Sequence, residues 1–139
     1  MRARLNEILI ELNRRNLLTK SMLIRMCEQN PEIGAYYAAY VIEQSWPEGE
    51  KYIARSARAS YLYAKLGLLR NRFPAGEEVI SKDGNLSYLY AAHCLGKPFP
   101  MGEEAIANTE AVADQYCVYV LNLRSADVYR WVLQHRSKS

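Results

Sequence analysis

The sequence predicts an all-α protein: a short α-solenoid of tandem helical hairpins with a capping helix at each end. A five-residue motif recurs at spacings of 27 and 26 residues, and residues of matching type recur at fixed distances behind it. No stretch alternates between apolar and polar residues as a β-strand would. The motif occurs as Trp46-Pro47-Glu48-Gly49-Glu50, Phe73-Pro74-Ala75-Gly76-Glu77 and Phe99-Pro100-Met101-Gly102-Glu103.

The first predicted element is an amphipathic helix over residues 3–17, within a capping segment 1–19. Charged residues occupy one face of this helix, and its apolar residues follow the i, i+3, i+4, i+7 pattern of the other face: Leu5, Ile8, Leu9 and Leu12. A repeat array needs a terminal helix whose outer face is polar. We therefore expect this helix to be the N-terminal cap.

Four repeat units follow, over residues 20–45, 46–72, 73–98 and 99–124, and the first of them is degenerate because it lacks the motif. Each unit has an apolar residue seven positions after its start, a helix N-cap residue at ten, a tyrosine at seventeen and a small residue at eighteen. N-cap side chains accept a backbone N–H that would otherwise lack a partner. The four columns are Cys27, Ile53, Ile80, Ile106; Asn30, Ser56, Asp83, Thr109; Tyr37, Tyr63, Tyr90, Tyr116; and Ala38, Ala64, Ala91, Cys117.

These columns divide each unit into a short first helix and a longer second helix. The motif proline suits the first helical position, and the acids behind it face the positive end of the helix dipole. After the last full unit, residues 125–136 form a half unit with Val132 in the isoleucine column, which we interpret as the C-terminal cap before a short, disordered basic tail. The predicted helices after the first are 21–29, 31–44, 47–55, 57–70, 74–82, 84–96, 100–108, 110–123 and 126–136.

The repeated unit resembles a group of short helical repeats. Its pattern is [Trp/Phe]-Pro-x-Gly-Glu, an isoleucine seven positions on, and then Tyr-x-Tyr-Ala, as in Tyr61-Leu62-Tyr63-Ala64 and Tyr88-Leu89-Tyr90-Ala91. It is similar to repeats in uncharacterised proteins of bacteriophages and large DNA viruses, well over residues 46–124 and loosely over 20–45. The resemblance implies an all-helical array and a viral origin, and it implies no activity.

Length and composition indicate a single domain over residues 1–139 and a soluble protein. No apolar run approaches the roughly 18 residues of a membrane-spanning helix, and no signal peptide follows the basic start of the chain. Three widely spaced cysteines fit a reducing compartment: Cys27, Cys94 and Cys117. We therefore expect a cytoplasmic protein, located in the host cytoplasm if it is viral, with no membrane partner.

The sequence predicts no enzyme, no metal site and no cofactor. His93 and Cys94 are adjacent, but neighbouring residues point about 100° apart on a helix, and both occupy packing columns. The motif glutamates recur at helix starts, where the dipole explains them, and equivalent acids of neighbouring units lie about 10 Å apart. No phosphate-binding glycine loop, zinc-ligand spacing or nucleophile elbow occurs.

The candidate binding site is an exposed ridge on the second helices. We expect Tyr63 and Tyr90 to pack between units with their hydroxyls reaching a partner. Tyr61 and Tyr88 stand two residues earlier, about 200° round the helix, and are therefore expected on an exposed face. The ridge comprises Arg58, Tyr61, Lys65, Asn85 and Tyr88, with Arg55, Arg70 and Arg72 near its ends.

Two functions are compatible with this ridge, and the alternative to both is a solvated helix face whose tyrosines shield the neighbouring unit. The first is a non-catalytic protein–protein interaction module, a viral protein that binds a host factor, since Tyr and Arg are enriched at binding hot spots. The alternative is a nucleic-acid-binding repeat protein that uses the basic segments 1–27 and 46–72, each with a net charge of +4. The overall charge of only +3 and the acidic unit 99–124 argue against nucleic acid. A further function is self-assembly through the apolar groove of the array, so the chain is expected to be a monomer or a small homo-oligomer.

Overall fold

The computed structural model describes residues 4–136, and every regular element within that range is helical, which confirms the predicted all-α class. The predicted basic tail and residues 1–3 lie outside the described residues. Ten α-helices occur in the described range: α1 Leu5–Arg14, α2 Lys20–Gln29, α3 Glu32–Tyr36, α4 Glu50–Ile53, α5 Ala57–Leu62, α6 Glu77–Ile80, α7 Gly84–Tyr90, α8 Glu103–Ala107, α9 Glu110–Gln115 and α10 Ser125–His135.

The motif starts the first helix of each unit as a short 3₁₀ turn. Pro47–Gly49, Pro74–Gly76 and Pro100–Gly102 form these turns, and α4, α6 and α8 continue from them. The prolines lie at the first helical positions, as predicted, where the missing N–H leaves no acceptor unpaired. The first helices end earlier than predicted, at Ile53, Ile80 and Ala107, because the chain already turns there toward the second helix.

The second helix of each unit changes from α-helical to π-helical near its tyrosine. In the unit 46–72, for example, the Leu68 N–H donates a 2.8 Å hydrogen bond to the Tyr63 carbonyl, five residues earlier. In a π-helix each hydrogen bond spans five residues instead of four, which widens the helix. The sequence pattern did not indicate this change. The π-helical segments are Tyr37–Ile42, Tyr63–Gly67, Ala91–Leu95 and Tyr116–Val120.

Three of the four predicted N-cap residues accept a backbone N–H. Ser56 accepts from Ala59 at 3.1 Å and Asp83 accepts from Leu86 at 2.9 Å. Asn30 likewise accepts the N–H of Glu32 at 3.2 Å. Thr109 is the N-cap residue of α9, as predicted, but its hydroxyl makes no capping bond and donates instead to the carbonyl of Ala105 at 2.8 Å in the preceding helix.

The helices pack in two layers that run along the array. Each second helix contacts the second helix of the next unit, in the order α3, α5, α7, α9, and the first helices and their 3₁₀ turns are linked in the same way. The repeat columns form the core between the layers, where Tyr63, Tyr90 and Tyr116 of column seventeen and the isoleucines of column seven are fully buried, while Tyr37 is half-buried. The predicted α-solenoid is therefore the observed fold.

The two capping helices differ from the prediction in what they expose. α1 packs against α3, but its outer face is not wholly polar, since Ile8 is 41% exposed. α10 packs against α8 and α9, and Trp131 rather than the predicted Val132 is the residue that it buries. No helix among residues 4–136 is long and apolar enough to cross a membrane.

Candidate functional site

The same two hydrogen bonds join the second helix to the motif in every unit that carries the motif. In the unit 73–98, the Tyr90 hydroxyl donates to the Glu77 carboxylate at 2.6 Å and accepts the Phe73 N–H at 2.9 Å. Tyr63 makes the same two bonds to Glu50 and Trp46, at 2.6 and 2.8 Å. Tyr116 repeats them with Glu103 and Phe99, at 2.6 and 3.0 Å. The partner of each tyrosine hydroxyl is thus the start of its own unit.

The same tyrosines join each unit to the next through their rings. Tyr63 meets Phe73 edge-on with ring centroids 4.9 Å apart, and Tyr90 meets Phe99 at 5.1 Å. At the end of the array, Trp131 of α10 takes the place of the motif aromatic against Tyr116. Burial raises the pKa of these tyrosines, and their hydrogen bonds to the glutamates raise it further. We conclude that column seventeen holds the array together.

Most charged residues of the predicted ridge contact other side chains of the same chain. The Arg58 guanidinium forms an ion pair with Glu32 at 2.9 Å, across the boundary between the first two units. Arg72 binds both carboxylate oxygens of Glu77, at 2.7 and 3.0 Å. The guanidinium of Arg55 lies 5.3 Å from the ring centroid of Tyr52. These contacts hold the three arginines along the side of the array.

The polar and aromatic residues of the predicted ridge divide between the surface and the interior. Asn85 is exposed and Tyr88 is half-buried. The prediction is wrong for Tyr61, which is only 6% exposed, because its hydroxyl points to the next unit and lies 2.8 Å from Nδ1 of His93. The Lys65 ammonium lies 5.7 Å from the centre of the Tyr61 ring. The Tyr61 side chain is therefore buried, with Lys65 over its ring and His93 at its hydroxyl.

The unit 46–72 contains one more residue than its neighbours, and its second helix ends differently. Each second helix is followed by one residue of positive φ in the same column: Glu43, Leu69, Gly96 and Asn122. Only the unit 46–72 adds a second such residue, Arg70, with φ 63° after Leu69 with φ 55°. Left-handed conformation is unfavourable for residues with a β-carbon. The extra residue thus forces an irregular turn at one place in the described array.

This turn presents Leu69 and Arg70 at the surface. Leu69 is 78% exposed, and Arg70 is exposed as well. Burial lowers the pKa of His93, and the positive charges of Lys65 and Arg70 lower it further. We name this group of residues the insertion patch: Tyr61, Lys65, Leu69, Arg70 and His93.

The insertion patch lacks the features of a nucleophilic centre. Cys94 is buried next to it, and burial raises the pKa of its thiol to about 11 although Lys65 and Arg70 oppose this shift. The thiol therefore stays protonated at neutral pH, and the thiolate is the reactive form of cysteine. No group of three or more His, Cys, Asp or Glu side chains that could hold a metal ion occurs in the range 4–136.

Sequence reasoning missed two members of the patch. His93 was assigned to a packing column, and Leu69 was not considered. The signal that could have identified Leu69 is the 27-residue spacing between Trp46 and Phe73, since an extra residue in a regular repeat must disturb the unit at some point. His93 belongs to the next unit, and its contact with Tyr61 has no signal in the repeat spacing.

The fold and this patch together define the chain as an all-α protein of stacked helical hairpins with one irregular, positively charged surface. No protein-family model, curated protein or solved structure matches the chain.

Proposed function

We propose that this protein is a non-catalytic protein–protein interaction module that binds an acidic protein surface through the insertion patch. The observation that carries the proposal is the turn at Leu69 and Arg70. It places a large apolar side chain and an arginine side chain in water at neighbouring positions, in a backbone conformation that non-glycine residues avoid. Backbone strain of this kind clusters at binding sites.

The composition of the patch supports a protein partner. Arginine and buried aromatic residues dominate binding hot spots, and an exposed leucine supplies apolar contact area beside them. Within the described residues, the positive charges of Lys65 and Arg70 are not neutralised by a salt bridge. A protein surface with acidic residues around an apolar pocket would satisfy both features. The flanking residues Arg55, Arg58, Arg72, Asn85 and Tyr88 form the proposed rim of the interface.

The origin and location of the protein belong to the same proposal. The resemblance of the repeated unit to phage and large-DNA-virus repeats supports a viral protein that binds a host factor in the host cytoplasm. The three cysteines fit that location, since Cys27, Cys94 and Cys117 are all buried as free thiols.

Nucleic-acid binding by the segments 1–27 and 46–72 is the second candidate, and the structure gives an argument against it. Several cations of those segments are engaged by acids of the same chain. Arg14 and Arg15 pair with Glu11, and Lys20 pairs with Glu48 at 2.9 Å. Arg58 and Arg72 are paired too, as described above. Nucleic-acid affinity depends on cations that are free to neutralise phosphates.

Charge reversal within the patch tests the proposal. The tagged full chain is compared with Arg70→Glu and Lys65→Glu for the proteins that it captures from host lysate, identified by mass spectrometry. Lys82→Glu, at an exposed position of another helix pair, is the control with the same charge change. We expect a partner that the wild type and the control capture and both patch variants lose. Equal capture by all four proteins would overturn the assignment of the patch.

A labelled single-stranded oligonucleotide separates the two candidates. Binding at about 50 mM salt that falls steeply as salt increases would favour nucleic acid. We expect no such binding. Circular dichroism of each variant shows whether the helical fold is retained, so that a loss of capture can be assigned to the surface.

A further inference from the structure

The imidazole of His93 is held in one orientation by a buried side chain. The Tyr61 hydroxyl lies 2.8 Å from Nδ1 of His93, and the Tyr61 ring is almost fully buried, so the support is rigid. The arrangement that we propose has the hydroxyl donating to Nδ1, so that the neutral imidazole carries its proton on Nε2. Because the two nitrogens lie on different sides of the ring, Nε2–H is directed away from Tyr61.

Two cations belong to the chain segment behind Tyr61: the Lys65 ammonium lies 5.7 Å from the centre of the Tyr61 ring, and the Arg70 backbone N–H donates to the Lys65 carbonyl at 3.1 Å. Lys65 comes from the π-helical segment Tyr63–Gly67 and lies over the Tyr61 ring, and Arg70 comes from the irregular turn behind it. The groups that shift the pKa of His93 are these two cations in addition to burial, and no carboxylate of the described residues is among them. Within the described residues, neither Lys65 nor Arg70 forms a salt bridge.

We propose that Lys65, Arg70 and His93 bind the phosphate monoester of a phosphorylated serine or threonine in the partner protein. This inference rests on the proposed function and names the chemistry of its partner. A phosphate dianion has about two negative charges at neutral pH and three terminal oxygens. It can therefore neutralise both cations and accept hydrogen bonds from Lys65, from the Arg70 guanidinium and from Nε2–H of His93.

The composition of the patch favours a phosphorylated peptide over a carboxylate or a nucleic acid. A carboxylate has a single negative charge, so one of the two cations would remain without a counter-charge. A nucleic acid supplies phosphates along its whole length, whereas the patch offers one concentrated group of donors with an exposed leucine next to it. Leu69 is positioned to contact an apolar side chain of the partner that lies next to the phosphorylated residue.

The first test uses the full chain and a small probe, the N-acetyl amide of O-phosphoserine. The pKa of His93 is measured by NMR titration of the imidazole signals with and without the probe. His135, the second of the two histidines, is the internal control because it packs on Trp131 and near Glu103. We expect the probe to raise the pKa of His93 from its lowered value and to leave that of His135 unchanged.

The N-acetyl amide of aspartate and inorganic phosphate are the comparison probes in the same titration. The aspartate probe is expected to bind at least about tenfold more weakly than the phosphoserine probe, because it loses one charge and one acceptor oxygen. Equal affinity for the two, or no shift of the His93 signals with either, would overturn the inference. A shift with inorganic phosphate supports it, since the phosphoryl group is the chemistry that is recognised.

Variants then assign the donors. Arg70→Gln and Lys65→Gln should each weaken the phosphoserine probe by about tenfold, as expected when a charge-assisted hydrogen bond is lost. The control Lys82→Gln should not change its affinity. Tyr61→Phe tests Tyr61 as a positioning residue: it should weaken binding and reduce the Nε2–H tautomer of His93 in ¹⁵N spectra. Unchanged affinity in both Arg70→Gln and Lys65→Gln would contradict the proposed site.

A phosphatase experiment separates this inference from the proposed function. The lysate is treated with phosphatase before the capture experiment, and the treated and untreated samples are compared. We expect the partner that depends on Arg70 and Lys65 to be lost after treatment. If that partner is retained, the interaction module stands and its phosphoryl recognition is wrong. If the patch variants never alter capture, the proposed function itself fails.

Discussion

The Tyr90 hydroxyl donates a 2.6 Å hydrogen bond to the carboxylate of Glu77, which lies thirteen residues earlier at the end of the motif. Glu77 is only 3% exposed and also binds the guanidinium of Arg72 with both of its oxygens. A buried carboxylate requires such partners because removing its charge from water is costly. The tyrosine column and the motif glutamate are therefore linked, because Tyr90 supplies one of the hydrogen bonds that the buried Glu77 carboxylate requires.

Replacement of Tyr90 by phenylalanine should destabilise the array. The variant keeps the ring against Phe99 but removes one donor to Glu77 and leaves the buried N–H of Phe73 without its acceptor. We expect the free energy of unfolding in urea to fall by about 1–3 kcal/mol, the usual cost of leaving buried polar groups unpaired. Tyr88→Phe is the matched control, since the half-buried Tyr88 makes no such bond among the described residues. Equal losses in both variants would contradict this role.

The stability of the protein should decrease in acid through Glu77. The hydrogen bonds from Arg72 hold the pKa of Glu77 below its ordinary value of 4.5, and the bond from Tyr90 lowers it further. A carboxyl with a lowered pKa in the folded state adds stability above its unfolded pKa, and this stability is lost as the pH falls through the folded pKa. We expect the stability difference between wild type and Glu77→Gln to shrink as the pH falls from about 6 to 3.

Urea unfolding at a series of pH values measures this difference. Glu78→Gln is the matched control, because it removes an exposed carboxylate from the neighbouring position of the same helix. Its difference from wild type should depend much less on pH. A pH-independent difference for Glu77→Gln would show that the carboxylate is not the source of the acid sensitivity.

The repeat columns made the fold predictable, because a local pattern determines each helix start. Pro74 at the start of the 3₁₀ turn, Asp83 as an N-cap and Ile80 in the core all follow from residue type and position. The hydrogen bonds between columns were not predicted. Glu77 was explained by the helix dipole alone, although its recurrence with Tyr90 at a spacing of thirteen residues indicated a pair.

The candidate site was less predictable, because it depends on contacts between units. Counting 100° per residue placed Tyr61 on the exposed side of its own helix. The second helix widens into a π-helical segment beyond Tyr61, and His93 of the next unit covers its hydroxyl. A count along one helix contains neither the widening nor the neighbour. The two consecutive residues of positive φ, Leu69 and Arg70, likewise follow from the extra residue and from no local propensity.

The turn at Leu69 should be more stable with asparagine in place of leucine. Leu69 has φ 55°, and the equivalent positions of the following units hold Gly96 and Asn122, the residue types that tolerate this conformation. We expect Leu69→Asn to raise the free energy of unfolding by about 0.5–1 kcal/mol, since an exposed leucine contributes little packing. The same variant should weaken capture of the partner. A Gly96→Ala variant, which adds a β-carbon at φ 64°, should lose stability in the same assay.

The motif aromatic and the residue fourteen positions after the start of the preceding unit should be energetically coupled. An ideal β-carbon on Gly34 would lie 2.7 Å from Ile53 and 3.4 Å from the Trp46 ring, whereas the next boundary has Ser60 in place of Gly34 and the smaller Phe73 in place of Trp46. A β-carbon on Gly76 would overlap the Ser60 hydroxyl and lie 2.8 Å from the Phe73 ring, so this boundary has no spare volume. The larger aromatic residue, Trp46, is therefore paired with the smaller residue, Gly34, and the smaller aromatic residue, Phe73, with the larger residue, Ser60.

A double-mutant cycle on Phe73→Trp and Ser60→Gly tests this coupling. Phe73→Trp alone should cost about 1–3 kcal/mol of unfolding free energy, because the larger ring overpacks the boundary. Ser60→Gly alone should also cost stability, because it removes a 3.1 Å hydrogen bond from Ser60 to the carbonyl of Ile53. The double variant reproduces the Gly34–Trp46 pair and should be at least about 0.5 kcal/mol more stable than the sum of the single changes predicts. The control cycle combines Phe73→Trp with Ser87→Gly, because Ser87 packs on Gly102 at the next boundary. The changes in unfolding free energy of these two substitutions should be nearly additive. Additive energies in both cycles would show that the two positions are chosen independently and that the Gly34–Trp46 pair is not a complementary fit.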